Sequence, residues 1–177
     1  MCSPTDTKGW LGHLVDSITN DPPAEEFALE APSRYAAGGA TITDIKIVID
    51  AQLAQRTDTP EIVMVYMGAN DTVDPYYSGL SEAGWKADYQ YVIDALHTKW
   101  PSAKIYLGKS WRLGYASRFA VINAWIDDLI AANSSFCYLG LDGQPILSGH
   151  AELYDGVHPN HDGCVALAAG WKPLLDY

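Results

Sequence analysis

Three short motifs carry the side chains that could do chemistry in this chain. Gly38 and Gly39 form a glycine turn, Gly68-Ala-Asn-Asp71 follows an apolar stretch, and Asp155-Gly-Val-His158 places an acid near a base. Backbone and side-chain N–H groups stabilise a developing oxyanion, and a carboxylate sets the tautomer of a histidine that takes up a proton. These residue types suit a reaction in which an oxyanion forms and a proton moves.

The motif around Asn70 has a functional and a structural interpretation. It comes directly after the predicted strand 61–67, and open α/β sheets bind ligands at the carboxyl ends of their strands. An asparagine there offers a side-chain N–H on a rigid support. The alternative is an Asx turn that ends the strand. The glycine turn at Gly39 is open to a similar alternative, plain turn chemistry.

The pattern Asp-x-x-His occurs twice, and context separates the two copies. Asp94-Ala-Leu-His97 falls inside a predicted surface helix, where we expect both side chains to be solvated. His158 instead precedes Pro159, which disfavours helical backbone, and Asn160 can cap the helix that follows. A turn of this kind presents both side chains on one side. We therefore predict that Asp155 and His158 are the functional pair.

Apolar periodicity predicts strands that alternate with helices. The predicted strands cover 61–67, 104–108 and 136–139, with a short one before the glycine turn, and the predicted helices cover 7–20, 24–30, 41–53, 81–99, 117–132 and 160–175. Thr41-Ile-Thr-Asp44 has the spacing of a capping box, and a loop with Gly143 and Pro145 precedes the last helix. This alternation predicts a parallel sheet with helices on both faces, in which the strand 61–67 is central and buried on both faces.

The composition is that of a globular protein of 177 residues, with 48% hydrophobic and 19% charged side chains. No repeat or linker divides the chain, so we expect one domain over 1–177. Eleven basic against 22 acidic side chains give a net charge of -11, which opposes binding to nucleic acid and to anionic membranes. The apolar runs are too short to cross a membrane and no leader opens the chain, so we expect a soluble protein. The sequence leaves its compartment open.

Cysteine and histidine spacing predicts neither a disulfide nor a metal site. Cys2, Cys137 and Cys164 are odd in number and form no CxxC pair, so we expect small buried hydrophobic side chains. Four potential ligands recur at intervals of three residues, namely Asp155, His158, His161 and Cys164. Pro159 prevents the continuous helix that would align them. We expect no metal.

In their order along the chain, ahead of a terminal helix, the three motifs resemble those of the SGNH, or GDSL-type, esterases and lipases. The resemblance covers nearly the whole chain and implies a flavodoxin-like three-layer α/β/α sandwich with a mainly parallel sheet. It implies that Gly39 and Asn70 belong to an oxyanion hole and that Asp155 and His158 are the catalytic Asp and His. The second block departs from the family at Arg34, where an Asn is usual.

The family's first block, a strand that ends in Gly-Asp-Ser, is the main departure, and two serines compete for the nucleophile. Asp16-Ser17 matches the signature, but Ser17 lies on the predicted helix 7–20. Ser3 precedes that helix and stands 36 residues before Gly39, closer to the family's separation. We favour Ser3, with Met1-Cys2 in place of Gly-Asp and the first strand absent. The chain is then truncated, wrongly started, completed by a strand from elsewhere, or an inactive descendant.

The resemblance implies serine-type hydrolysis of a carboxylic ester without a cofactor, on a small-molecule or carbohydrate substrate. Tyr76 and Tyr77, and Trp111 with Arg112 after the next strand, are predicted at the rim of the site. Flat rings at a rim suit stacking on sugars, which favours a short acyl group such as acetyl on a carbohydrate. The alternative is that these are ordinary core and surface aromatics. The rival functions are an inactive carbohydrate-binding module of the same fold and a lipase or thioesterase for longer acyl chains. A truncated N-terminus leaves secretion open.

Overall fold

The computed structural model describes residues 39–149, 153, 155 and 157–175. In that part of the chain the elements follow in the order α1 (Ile42–Ala54), β1 (Ile62–Met67), α2 (Glu82–Lys99), β2 (Lys104–Lys109), α3 (Ala116–Ala132), β3 (Cys137–Asp142), α4 (Gln144–Leu147) and α5 (His161–Leu175). Two short 3-10 helices, Asn70–Thr72 and Tyr77–Gly79, lie between β1 and α2.

The three strands form one sheet in the order β1-β2-β3. β1 and β2 run parallel, in a register that pairs Ile62 with Lys104. The Ile105 N–H donates to the Phe136 carbonyl at 2.9 Å, which joins β2 to the residue before β3. Parallel neighbours need a crossover connection, and α2 and α3 supply it. The predicted α/β class, with parallel strands and helical crossovers, is confirmed.

Boundaries predicted from periodicity and capping agree with the structure to within three residues. The capping box is present: the Asp44 N–H donates to Thr41 Oγ1, and the Thr41 N–H donates to the Asp44 carboxylate at 2.9 Å. The loop expected around Gly143 and Pro145 instead contains α4, and Pro145 fits its first turn because no intrahelical N–H is needed there. The helices predicted over 7–20 and 24–30, the strand before the glycine turn and the family's first strand lie outside the described residues.

β1 is less buried than its apolar sequence predicts. Val65 is buried, whereas the other positions of the strand are half-buried. Among the described residues β1 pairs only with β2, so it stands at one end of the three strands instead of at their centre. An apolar run shows that a strand avoids water, but it does not show how many strands lie beside it.

The described residues form two compact units, 39–110 with 115–140 and 111–114 with 141 onward. In the first unit, the core joins α1, α2 and α3 to the strands, with Trp85, Tyr89 and Ile122 among its most buried side chains. In the second unit, α5 buries one face that includes Leu167 and Trp171. The expectation of a single domain over 1–177 stays a prediction.

The two cysteines in the described part of the chain differ in state. Cys137 is free and buried, as predicted, and burial raises the pKa of its thiol to about 12. Cys164 is disulfide-bonded, so the expectation of no disulfide is wrong. A disulfide requires two Cα atoms within about 7 Å, and sequence spacing does not reveal that proximity. Cys2 lies outside the described residues.

Two features of the described residues bear on membranes and metals. No helix there is long and apolar enough to span a bilayer. No group of three or more His, Cys, Asp or Glu side chains there is arranged to hold a metal ion. The series of potential ligands at intervals of three residues therefore does not converge within this part of the chain.

Candidate functional site

Gly39 and Asn70 lie together at the carboxyl end of β1. Gly39 has a φ of +81°, a left-handed backbone conformation that favours glycine. Asn70 begins the 3-10 helix after β1, and its Nδ2 donates to the Ala40 carbonyl at 2.9 Å. The side chain thus binds backbone thirty residues away instead of capping its own turn, so the Asx-turn alternative does not describe it.

The amide group of Asn70 retains hydrogen-bonding capacity. A carboxamide carries two N–H donors, and one of them is used by the Ala40 carbonyl. Among the described residues no acceptor binds the second donor, and the side chain is half-buried. Gly68 precedes it with a φ of +105°, and a Cβ at that position would lie 3.5 Å from Ile122 Cγ2 and 3.6 Å from Trp85 Cζ2. The turn that presents Asn70 is therefore closely packed against α2 and α3.

Asp71, the next residue, is a buried carboxylate that sequence reasoning left without a role. It is 1% exposed. Its Oδ1 accepts from the Ile42 N–H at 3.2 Å and from Trp85 Nε1 at 3.0 Å, and its Oδ2 lies 3.3 Å from the same Ile42 nitrogen. Burial raises the pKa of this carboxyl, an effect that the two donors partly offset. The only sequence signal was a second polar residue directly after the Asn70 position.

Asp155 and His158 form a compact hydrogen-bonded pair. Asp155 Oδ2 lies 2.7 Å from His158 Nδ1, and Asp155 Oδ1 accepts the backbone N–H groups of His158 at 2.7 Å and Val157 at 2.9 Å. Both side chains are about one-third exposed, with relative areas of 37% and 35%. The hydrogen bonds from His158 hold the pKa of Asp155 well below its usual range.

The backbone around this pair explains its geometry. Leu153 and Pro159 form an antiparallel bridge that closes the loop, and α5 begins two residues after Pro159. Asn160 Oδ1 accepts from the Gly163 N–H at 2.8 Å, as the predicted cap requires. A carboxylate placed against Nδ1 is the arrangement that sets the tautomer and orientation of a histidine ring. This geometry is of the kind in which a carboxylate orients a histidine that can act as a general base.

The second Asp-x-x-His pair differs from the expectation. His97 is half-buried, and its ring stacks on Phe136 with centroids 3.7 Å apart and planes 5° apart. Asp94 is exposed and accepts from Gln90 Nε2 at 2.8 Å. His97 is therefore a packed side chain and not a solvated one, because the Phe136 ring, just before β3, covers it.

The four predicted rim residues differ in exposure. Tyr76 is 52% exposed, whereas Trp111 is 7% exposed, so Trp111 does not present a free ring at a rim. Tyr77 is half-buried beneath Arg118, whose guanidinium carbon lies 4.5 Å from the ring centroid. Arg112 is half-buried.

Arg118, on α3, contacts the loop after Asn70 and was missed by sequence reasoning. Its guanidinium donates to the Thr72 carbonyl at 2.8 Å and to Asp74 Oδ2 at 2.9 Å. It also lies 5.3 Å from the centroid of the Tyr115 ring. The loop after Asn70 is thereby tied to α3 by a side chain whose sequence context, near the start of a helix, carried no signal.

The predicted site residues thus fall into two groups. Gly39 and Asn70 lie in the first compact unit, and Asp155 and His158 lie in the second. The structure brings the members of each pair into one local arrangement. Ser3 and Ser17, the two candidate nucleophiles, lie outside the described residues.

Comparison with known proteins bears on this arrangement. The GDSL-like Lipase/Acylhydrolase family matches residues 3–165 of the chain. No curated protein sequence matches it.

Solved structures share the fold at low sequence identity. A carbohydrate esterase family 3 protein from Talaromyces cellulolyticus is 18% identical, with a TM-score of 0.71 over 94% of this chain and 89% of that one. Axe2, an acetylxylan esterase from Geobacillus stearothermophilus, is 17% identical, with a TM-score of 0.72 over 96% and 81%. A lipolytic protein of the G-D-S-L family from Veillonella parvula is 14% identical, with a TM-score of 0.72 over 95% and 87%. The flavodoxin-like α/β/α class is thereby confirmed.

Proposed function

The chain belongs to the GDSL-like lipase/acylhydrolase family, and we propose that it hydrolyses carboxylic esters through a serine nucleophile. The observation that carries the proposal is the 2.7 Å contact between Asp155 Oδ2 and His158 Nδ1, made by a carboxylate with a lowered pKa. A histidine held in this way serves as a general base through Nε2. Gly39 and Asn70 add N–H donors of the kind that stabilise an oxyanion.

In the proposed reaction the Ser3 hydroxyl attacks the acyl carbonyl, and His158 Nε2 takes the hydroxyl proton. The bond between the acyl carbon and the alcohol oxygen then breaks, and His158 returns its proton to the departing alcohol. Water attacks the acyl-enzyme with His158 again as the base, which releases the carboxylic acid and restores Ser3. Asp155 stabilises the imidazolium in both halves of the reaction.

The oxyanion of each tetrahedral intermediate has three proposed donors. These are the backbone N–H groups of Ser3 and Gly39 and the side-chain amide of Asn70. The contact from Asn70 to Ala40 supports this role, because it immobilises the amide while leaving its second N–H for a ligand. Donors fixed before the reaction starts need no reorganisation when the charge develops.

The proposed substrate is a short acyl ester of a carbohydrate, such as an acetyl ester. Two of the structures that share the fold are described as a carbohydrate esterase and an acetylxylan esterase. Tyr76, exposed on the loop that follows Asn70, is available to stack on a sugar ring. Tyr77 and Arg112 are proposed to contact substrate through edges and polar groups, because both are half-buried. Trp111 has no part in this proposal, since its ring is buried.

A second candidate function is glycan binding without turnover. The observation in its favour is the sequence before Ser3, where Met1-Cys2 stand in place of the family's Gly-Asp. The exposed Tyr76 would serve such a module equally well. The two functions differ in whether an acyl-enzyme forms.

The test is to assay the protein with p-nitrophenyl acetate and with acetylated xylo-oligosaccharides, and to treat it with a fluorophosphonate probe. We expect hydrolysis of both esters and labelling of Ser3, which Ser3→Ala removes and Ser17→Ala does not. Faster turnover of a long-chain p-nitrophenyl ester would favour a lipase or thioesterase. Absence of turnover and of labelling, together with retained glycan affinity, would favour the binding module.

A further inference from the structure

We propose that Asp71 is a positioning residue for the oxyanion hole, holding the backbone of residues 40–42 against Asn70. This inference rests on the proposed function, because it assigns a task to a residue that supports Asn70 and Gly39. Asp71 does not contact substrate in this proposal. It acts on the peptide segment that the catalytic donors require.

Asn70 and Asp71 form hydrogen bonds to the same short backbone segment, residues 40–42, at two points. Asn70 Nδ2 donates to the Ala40 carbonyl at 2.9 Å, and the Asp71 carboxylate accepts from the Ile42 N–H at 3.2 Å. The Asn70 amide donor thus faces the Ala40 carbonyl, and the Asp71 carboxylate acceptor faces the Ile42 N–H, two residues further along the segment. This complementarity fixes both the position and the direction of residues 40–42. Because Gly39 immediately precedes this segment, the position of its backbone is restricted as well.

A third contact anchors the carboxylate itself. Asp71 Oδ1 accepts from Trp85 Nε1 at 3.0 Å, and the Trp85 side chain, on α2, is almost fully buried. Trp85 Cζ2 also packs near the Gly68 backbone that precedes Asn70. The orientation of the Asp71 carboxylate is consequently set by the core of the first unit and not by solvent.

The electrostatics of Asp71 set it apart from an ordinary structural carboxylate. It is 1% exposed, and among the described residues no cationic side chain pairs with it. Its compensation comes from N–H donors and from the positive end of the α1 dipole. Burial raises its pKa, because loss of contact with water disfavours the ionised form of the carboxyl. A buried acid retained at such a cost fits a task of positioning better than one of stabilising the fold.

The start of α1 has separate support that does not involve Asp71. Thr41 and Asp44 form a complete capping box, which satisfies the N–H groups of both residues. Removing Asp71 therefore leaves the helix with its cap. The expected loss is in the placement of residues 39–42 and not in the existence of α1.

The experiment compares Asp71→Ala with a matched control, Asp88→Ala. Asp88 also links α1 to α2, since it accepts from Thr43 Oγ1 at 2.7 Å and from Lys46 Nζ at 2.5 Å, but among the described residues it makes no hydrogen bond to the segment 39–42. We expect Asp71→Ala to lower kcat by about 10- to 100-fold, the range typical of a small misplacement of catalytic groups, with KM changed less than about twofold. Asp88→Ala should leave both constants unchanged. As a reference, Asn70→Ala should lower kcat by about 100- to 1,000-fold.

A conservative variant separates positioning from structure. In Asp71→Asn the amide oxygen can occupy the Oδ1 position and keep both the Ile42 and the Trp85 contacts, so we expect kcat to recover most of the loss. If Asp71→Ala fails to fold, Asp71→Ser takes its place, because the shorter side chain cannot span to the Ile42 nitrogen. Circular dichroism and Tm check the fold of each variant.

A readout independent of turnover is the hydrogen exchange of the Asn70 side-chain N–H groups, followed by NMR. In Asp71→Ala this exchange should be at least about tenfold faster than in wild type, and in Asp88→Ala it should be unchanged. An Asp71→Ala protein with wild-type exchange and wild-type kcat overturns the inference, as does an equal loss in Asp88→Ala. A wild-type protein with no turnover and no fluorophosphonate labelling would contradict the proposed function alone. The exchange measurement would still decide whether Asp71 positions Asn70.

Discussion

Asp94 and His97 lie on α2, whereas Asp155 and His158 lie in the loop before α5. Asp94 accepts from Gln90, one helical turn earlier, while His97 stacks on Phe136. In the loop, by contrast, the acid binds the base directly at 2.7 Å. The same Asp-x-x-His pattern thus places its histidine in a packing contact in one unit and against its own aspartate in the other.

The difference arises from where the backbone N–H groups are used. Inside a helix each N–H is bound to the carbonyl four residues earlier, so none remains for a carboxylate side chain. In the loop the N–H groups of Val157 and His158 both donate to Asp155 Oδ1 instead. They hold one carboxylate oxygen in place, which leaves Oδ2 for the imidazole. Of the two Asp-x-x-His pairs described, the one in which the acid and the histidine meet is thus the one whose backbone N–H groups bind the carboxylate.

Replacing the two histidines is expected to have the largest effect. His158→Ala should lower kcat by at least about 10⁴-fold, because it removes the general base, while Tm stays close to that of wild type since the side chain is only partly buried. His97→Ala should leave kcat unchanged. Steady-state hydrolysis of p-nitrophenyl acetate measures both. Equal losses of turnover would show that the distinction between the two pairs is wrong.

Replacing the two acids is expected to have a comparable but smaller effect. In Asp155→Asn the backbone donors of Val157 and His158 hold the amide oxygen, which turns the NH₂ group toward His158 Nδ1. Nδ1 must then accept, so the proton moves to Nε2 and the base is lost, at a cost of about 10⁴-fold in kcat. Asp94→Asn, the matched change on α2, should have no effect on kcat. A fully active Asp155→Asn protein would remove the orienting role.

For stability we expect the reverse ranking of the two histidines: the free energy of unfolding should depend on His97 and hardly on His158. His97→Ala removes the stacking on Phe136 and should lower the free energy of unfolding by about 1–2 kcal/mol. His97→Phe keeps the stacking and removes Nδ1, a buried nitrogen with no partner among the described residues, so stability should be retained or rise by up to about 1 kcal/mol. Urea unfolding followed by circular dichroism measures both. A destabilisation in His97→Phe as large as in His97→Ala would mean that the nitrogen, and not the ring, matters.

The smallest expected effect is on the titration of Asp155. Its hydrogen bonds lower the pKa below the ordinary value of 3.8, so the ionised form is favoured by folding. The resulting stability is present above pH 3.8 and is lost as the pH falls through the lower, folded-state value. NMR of ¹³C-labelled aspartate should place the midpoint of Asp155 below 3.8. A midpoint at or above 3.8 would show that the loop does not hold the carboxylate as described.

Much of the local structure was predictable from the sequence. The capping box at Thr41, the apolar strand 61–67 and the cap at Asn160 depend on residues within a few positions of one another, and the structure has each of them. Pro159 likewise separates the loop pair from the helical pair by its effect on the residue before it. These signals act through backbone geometry over one or two turns, which is why the sequence is enough.

Contacts between distant positions were not predictable in the same way. The bond from Asn70 to Ala40, the burial of Asp71 against Trp85 and the cover of Phe136 over His97 each join residues that a linear pattern does not relate. The disulfide at Cys164 and the burial of Trp111 belong to the same class. For the described part of the chain the sequence by itself determined the order of strands and helices and the pairing of Asp155 with His158, and it also indicated the family, because these follow from local periodicity, caps and motif order. Only the tertiary structure decided which polar groups meet, because hydrogen bonding and burial depend on distances that folding sets between remote parts of the chain.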